Sequence, residues 1–218
     1  SAHYCGPLTA QKRIDLTGNA LFIEQGIEAV DAAVSIRHLG LLSLVGDLHA
    51  GSFTESGRGT VAINGHVTVH RGNSSFSSPV LLLSESRFSA EAEDSILLFK
   101  NTIDGHYPLT FSNPQGAIVF SGALGSIAPP TMLHASAATI EIGANQTVEA
   151  KDGPMLYNGD VQLTAAAAFL NRGSQPMTFE GNIATGWAAH QANYPITLRS
   201  TMSTIAMAGD LDTTFAGC

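Results

Sequence analysis

The sequence predicts an all-β, single-domain parallel β-helix, a β-solenoid with coils of about 22 residues. Three observations predict it: proline recurring at near-regular spacing, period-two alternation between the prolines, and a composition rich in glycine and poor in charge. Of 218 residues, 44% are hydrophobic, which supplies a real core and excludes a solvated, disordered chain. Charged residues make up 13%, against roughly 25% in ordinary soluble domains, and there are 22 glycines. A chain of this kind turns often and covers its strands with Ser, Thr, Asn and Gln in place of Lys and Glu.

Residues 1–40 read as an N-terminal cap or a first coil. Phe22, Ile23, Ile27, Val30, Val34 and Ile36 are interleaved with Glu24, Glu28 and Asp31 in a mixture of helical and strand periods. A terminal coil lacks a covering neighbour, which favours a cap, and a plain first coil fits equally. Residues 41–218 read as the solenoid. Residues 60–63 and 66–70 alternate on either side of Asn64-Gly65, a tight-turn signal. Alternation returns at residues 95–99, 139–142, 147–150 and 160–164, so strands recur roughly every 8 to 12 residues.

Pro79, Pro108, Pro130, Pro154, Pro176 and Pro195 each stand just before an apolar segment, 19 to 29 residues apart. Proline fixes φ and has no N–H to offer a ladder, so it suits the first residue of a strand after a turn. Tyr107-Pro108-Leu109-Thr110-Phe111 aligns with Tyr194-Pro195-Ile196-Thr197-Leu198, and Pro176-Met177-Thr178-Phe179 is a third, shorter copy. The alternative, a β-sandwich, explains the strand spacing but not a repeat with proline in one phase.

Ten basic against eighteen acidic residues give a net charge of −8, which speaks against a nucleic-acid partner. No apolar run reaches the ~18 residues needed to span a bilayer, residues 39–45 being the best attempt. With no charged-then-apolar leader ahead of Ser1, any signal peptide is expected to have been removed. Cys5 and Cys218 form neither a disulfide scaffold nor a metal cluster. About nine coils at ~4.8 Å make a body roughly 40 Å long, which separates the two cysteines far beyond the ~6 Å of a disulfide. No intrachain bond is therefore expected. Low charge, small polar residues and a cysteine-free interior point to an extracellular or cell-surface protein.

Few motifs carry chemistry. Gly57-Arg58-Gly59-Thr60-Val61-Ala62 matches a dinucleotide fingerprint, but strand and turn follow it where a helix is required, so it reads as a glycine turn. His66 and His70 share a strand face with Thr68 between them. Two imidazoles could ligate a transition metal, yet a zinc site wants three or four ligands, so they read as exposed strand histidines. The carboxylates are scattered: Asp47, Glu55, Asp94, Asp104, Asp152, Asp160, Asp210 and Asp212. Asp104 and Asp152 precede glycine and read as turn residues; Asp210 and Asp212 could form a calcium corner. No catalytic, cofactor-binding or metal residue is assigned. Asn73-Ser74-Ser75 and Asn145-Gln146-Thr147 match the glycosylation sequon and fall in expected turns.

Residues 109–122 and 177–186 resemble the passenger-associated repeats of bacterial autotransporters and are similar to the short repeats of chlamydial polymorphic membrane proteins. Phe179-Glu180-Gly181-Asn182 answers an F-x-x-N motif and Gly116-Ala117-Ile118 the end of G-G-A-I, with Gln115 where the first glycine belongs. The likeness covers residues 107–209 and implies a right-handed parallel β-helix exported to the cell surface as an adhesin or structural stalk.

The functional expectation is a non-enzymatic, cell-surface β-solenoid, an adhesin or a structural and fibre-forming module. Its partners would be a receptor or glycan on a host or neighbouring cell, with self-association through the solenoid ends. A carbohydrate-active enzyme on the same scaffold, a polysaccharide lyase or hydrolase, is the alternative. An ice-binding solenoid is a further rival: Thr110, Thr178 and Thr197 fall in one proline phase, but Leu81 and Leu156 break the rank.

Overall fold

Alternating side chains leave each strand one apolar face, and a strand that coils back above itself hands its N–H and C=O groups to the next turn. The computed structural model describes residues 1–187 and 192–212, with the backbone alone at 186–187 and 192–193. It is all-β, a β-solenoid of about 9 turns whose stacked coils lie about 21 residues apart. Among the described residues every strand pair is parallel except Gly186–Trp187 with Ala192–Asn193. Parallel neighbours rule out the β-sandwich alternative, in which adjoining strands would run in opposite directions.

Each coil has three faces. The first face begins with Ala2–Tyr4, Leu21–Ile23 and Leu42–Val45 and ends with Gln146–Val148, Ala167–Asn171 and Ile196–Ser200. Bridges from Ile103 to Leu124 and from Leu124 to Gln146 join its two halves. The second and third faces share long bent strands such as Ile27–His38, Pro108–Phe120 and Met132–Ile142. Their register shifts between Ala29 and Ala33, Asn113 and Ala117, and Ser136 and Thr139. Those bulges turn the corner from one face to the next. The mixed-period stretch near the N-terminus forms Leu21–Ile23 and Ile27–His38, which pair with the coils before and after them.

The prolines mark strand starts, but on two different faces. Pro108, Pro154 and Pro176 open second-face strands, with Pro130 two residues ahead of Met132–Ile142; these four lie 22 to 24 residues apart. Pro79 and Pro195 instead precede the first-face strands Val80–Leu82 and Ile196–Ser200, so the 29- and 19-residue intervals cross from one face to another. The segments starting at Tyr107 and Tyr194 therefore occupy different faces and are not copies in one phase. The Pro176 copy does stack in register, since Leu109, Leu133, Met155 and Met177 form one inward file. Asn64-Gly65 is likewise a corner and not a hairpin: Val61–Asn64 pairs with Leu42–Val45 and Val80–Leu82, and Val67–Val69 begins the next face.

Aromatic rings fill the middle of the stack. Phe76, Phe99 and Phe120 stack at 5.2 and 5.9 Å between centroids, and Phe88 and Phe111 meet Phe99 edge-on at 5.1 Å each. A second cluster holds Tyr157 stacked on Phe179 at 5.1 Å, with Phe169 edge-on to both. The Tyr157 hydroxyl is buried without a hydrogen-bond partner among the described residues, and burial holds its phenol well above the usual range. The folded state therefore keeps the proton that the unfolded chain loses above pH ~10, so stability falls as pH rises through that value. Tyr157→Phe is expected to stabilise the protein by about 1 kcal/mol at neutral pH and to flatten that alkaline loss, both read by urea titration.

Side chains also tie successive coils together, with a consistent polarity. Asp47 Oδ1 accepts the His66 N–H at 2.9 Å, Asn73 Oδ1 that of Ile96 at 2.8 Å, and Asn145 Oδ1 that of Ala168 at 2.9 Å. Asp160 accepts from Asn182 N–H, whose own Oδ1 accepts from Asp210 N–H, each at 3.0 Å. Asp104 Oδ1 takes the N–H groups of Ile127 and Ala128. In all of these the acceptor side chain lies one coil earlier than the donor backbone. Gly159, at the corner inside Met155–Leu163, has φ +134, and a Cβ there would collide with the Ala137 carbonyl oxygen of the coil beneath. Gly159→Ala should lower stability by roughly 1–3 kcal/mol, visible as a lower urea midpoint.

Candidate functional site

The second face presents outward ranks built by coil stacking. One rank runs Glu28, His49, Thr68, Ser89, Ser112, Ser136 and Asn158. Its neighbour runs Arg87, Thr110, His134, Leu156 and Thr178. Beside them the bulge at residues 113–117 meets the bend at Asp94, whose N–H donates to the Gln115 carbonyl at 3.2 Å. That corner forms a rim, and a cleft of about 510 Å³ lies below it. The volume falls within the range of small-ligand sites, ~300–1,000 Å³.

Hydrogen bonds fix the chemistry of the cleft walls. Arg87 N–H donates to His66 Nδ1 at 3.1 Å, so that nitrogen is unprotonated and Nε2 carries the ring proton. On the other wall His70 Nδ1 donates to Glu91 Oε2 at 2.7 Å. The His49 and His70 rings stack with centroids 5.8 Å apart. His70 Nε2 is shut away from solvent with no hydrogen-bond partner among the described residues, an arrangement that costs about 1–3 kcal/mol. Along the floor Thr68 and Ser89 hydroxyls bond at 3.0 Å. Among the described residues the Arg87 guanidinium faces no carboxylate within ion-pair distance.

His66, Thr68 and His70 do share one exposed face, as the alternation predicts, and all three line this cleft. Among the described residues no group of three His, Cys, Asp or Glu side chains is placed to hold a metal ion. His49, Arg87, Ser89 and Glu91 were not legible as partners of the histidine pair, because they join it only through coil register.

The scattered carboxylates separate into distinct roles. Glu55 is fully buried, pointing inward in a file with Ile36 and Phe76. It receives His38 Nε2 at 2.8 Å, the Ser78 hydroxyl at 2.8 Å, and the N–H groups of Ser77 and Ser78. Ser, His and Glu thus meet, but hydroxyl and imidazole both bond the carboxylate and not each other, so they do not form a nucleophile–base pair. Asp104 organises the turn of the following coil, and Asp152 is exposed in a bend. Asp160, Asp210 and Asp212 line a second cleft of about 490 Å³, where Asp160 Oδ1 and Asn182 Oδ1 each accept an N–H from the next coil.

The remaining motifs resolve simply. Gly57 closes the strand Leu48–Gly57 and Val61–Asn64 begins the next, so no helix follows the fingerprint glycines. Gly59 lies so close to Gly40 of the previous coil that a Cβ would strike its carbonyl. Asn73 and Asn145 sit in exposed turns. Cys5 is an exposed free thiol, and Cys218 lies outside the described residues. Thr110 and Thr178 share an outward rank interrupted by His134 and Leu156, whereas Thr197 belongs to the first face. Three threonines in one proline phase therefore do not make one rank. Among the described residues no helix is long and apolar enough to cross a membrane. No protein-family model, curated protein or solved structure matches this chain.

Proposed function

We propose that the chain is a non-enzymatic, surface-displayed β-solenoid that binds receptors or glycans on other cells, in the manner of an autotransporter passenger. One observation carries this reading: the second face sets ranks of hydroxyl, imidazole and charged side chains one coil apart on a backbone ladder. A ladder of this kind displays ligand-contacting groups without the entropy loss of ordering a loop. The same reading places the protein outside the cell and includes contact between copies at the solenoid ends.

Beads coated with the purified chain should retain cells and saccharides on an array. Ser112→Arg, which fills the cleft floor, is expected to reduce retention at least tenfold with an unchanged melting temperature. Retention of nothing by the wild-type beads would sink the adhesive reading. For end-to-end contact the check is sedimentation velocity: a sharp monomer boundary at high concentration removes it.

A further inference from the structure

Building on that adhesive reading, we propose that the second-face cleft binds a saccharide bearing a carboxylate, with the acid group against Arg87. The two walls differ in hydrogen-bonding sense. Arg87 offers a guanidinium that pairs with no carboxylate among the described residues, and the adjoining His66 is held by the Arg87 N–H in the form whose Nε2 donates. Asp47, which lies beside them, already spends an oxygen on the His66 N–H. A planar, fork-shaped donor next to a second N–H suits a carboxylate.

The opposite wall accepts. Glu91 carries one oxygen on His70 and has lone pairs left for ligand hydroxyls. Between the walls, Thr68, Ser89 and Ser112 bring hydroxyls from successive coils, Thr68 and Ser89 sharing one 3.0 Å bond and each keeping further hydrogen-bonding capacity. A ligand matching this pattern carries an acid at one end and hydroxyls along its length. Densely charged polyanions fit poorly, because Glu91 and Asp47 face the same cleft and the chain carries −8 overall. A neutral sugar would leave the guanidinium unused.

Titration of the whole protein with sialyllactose against lactose, and with methyl glucuronide against its methyl ester, tests the proposal by calorimetry or saturation-transfer NMR. The acid member of at least one pair should bind about 10- to 100-fold tighter than its neutral counterpart, and the pair that does so identifies the sugar class. Arg87→Gln should bring the acid down to the neutral level, Arg87→Lys should fall between, and Arg58→Gln, in a separate depression, should change nothing. Equal binding of acid and neutral probes, indifference to both Arg87 variants, or no binding of any probe overturns it. Where beads still retain cells but these probes fail, the acidic-sugar proposal falls while the adhesive reading stands.

Discussion

Phe99→Ala is expected to cost about 3–5 kcal/mol of folding free energy, at the upper end of large-to-small core changes. Phe99 is 1% exposed and touches four other phenylalanine rings, two stacked and two edge-on. Truncation leaves a cavity that the surroundings cannot close, because ladders of backbone hydrogen bonds pin the coils above and below at fixed spacing. Phe99→Leu keeps most of the volume and should cost well under half as much. Urea unfolding with an unchanged m-value is the measurement, and a loss below about 1 kcal/mol for the alanine variant contradicts the packing described.

Glu55→Ala should be comparably severe, at about 3–5 kcal/mol. The carboxylate is the common acceptor for His38, the Ser78 hydroxyl and two backbone N–H groups, and the Glu55 and His38 side chains have no exposure. Removing it orphans four donors at once where water cannot replace it. His38→Ala alone removes only one of the partners and should cost less. The double variant should lose clearly less than the two singles summed, since both act on one network. Strict additivity in that cycle would show that the pair is not coupled.

Period-two alternation made the strands readable, because each inward residue meets the core and each outward one meets water. The parallel stack was readable from the spacing of Pro108, Pro130, Pro154 and Pro176, which recur on one face. Pro79 and Pro195 misled for a physical reason: proline needs only a strand start, and every coil provides three. Glu55 was hidden by the same alternation. Its neighbours in chain order, Thr54 and Ser56, are exposed, and only stacking beneath Phe76 and above Ile36 reveals a buried carboxylate. The cleft was half visible. His66 and His70 flank one short strand, Val67–Val69, whereas His49, Arg87 and Glu91 arrive from neighbouring coils whose lengths vary by several residues.

The one-way side-chain ties between coils make the two ends of the stack chemically different. A finished coil already holds Asp47, Asn73, Asn145 or Asp160 ready to receive the amide of the turn that follows. The backbone ladder, by contrast, runs both ways, with Ile27 N–H donating forward to Asp47 and Arg58 N–H back to His38. Only the side-chain ties therefore tell one end of the stack from the other: each coil turns these acceptors towards its successor and none of them towards its predecessor.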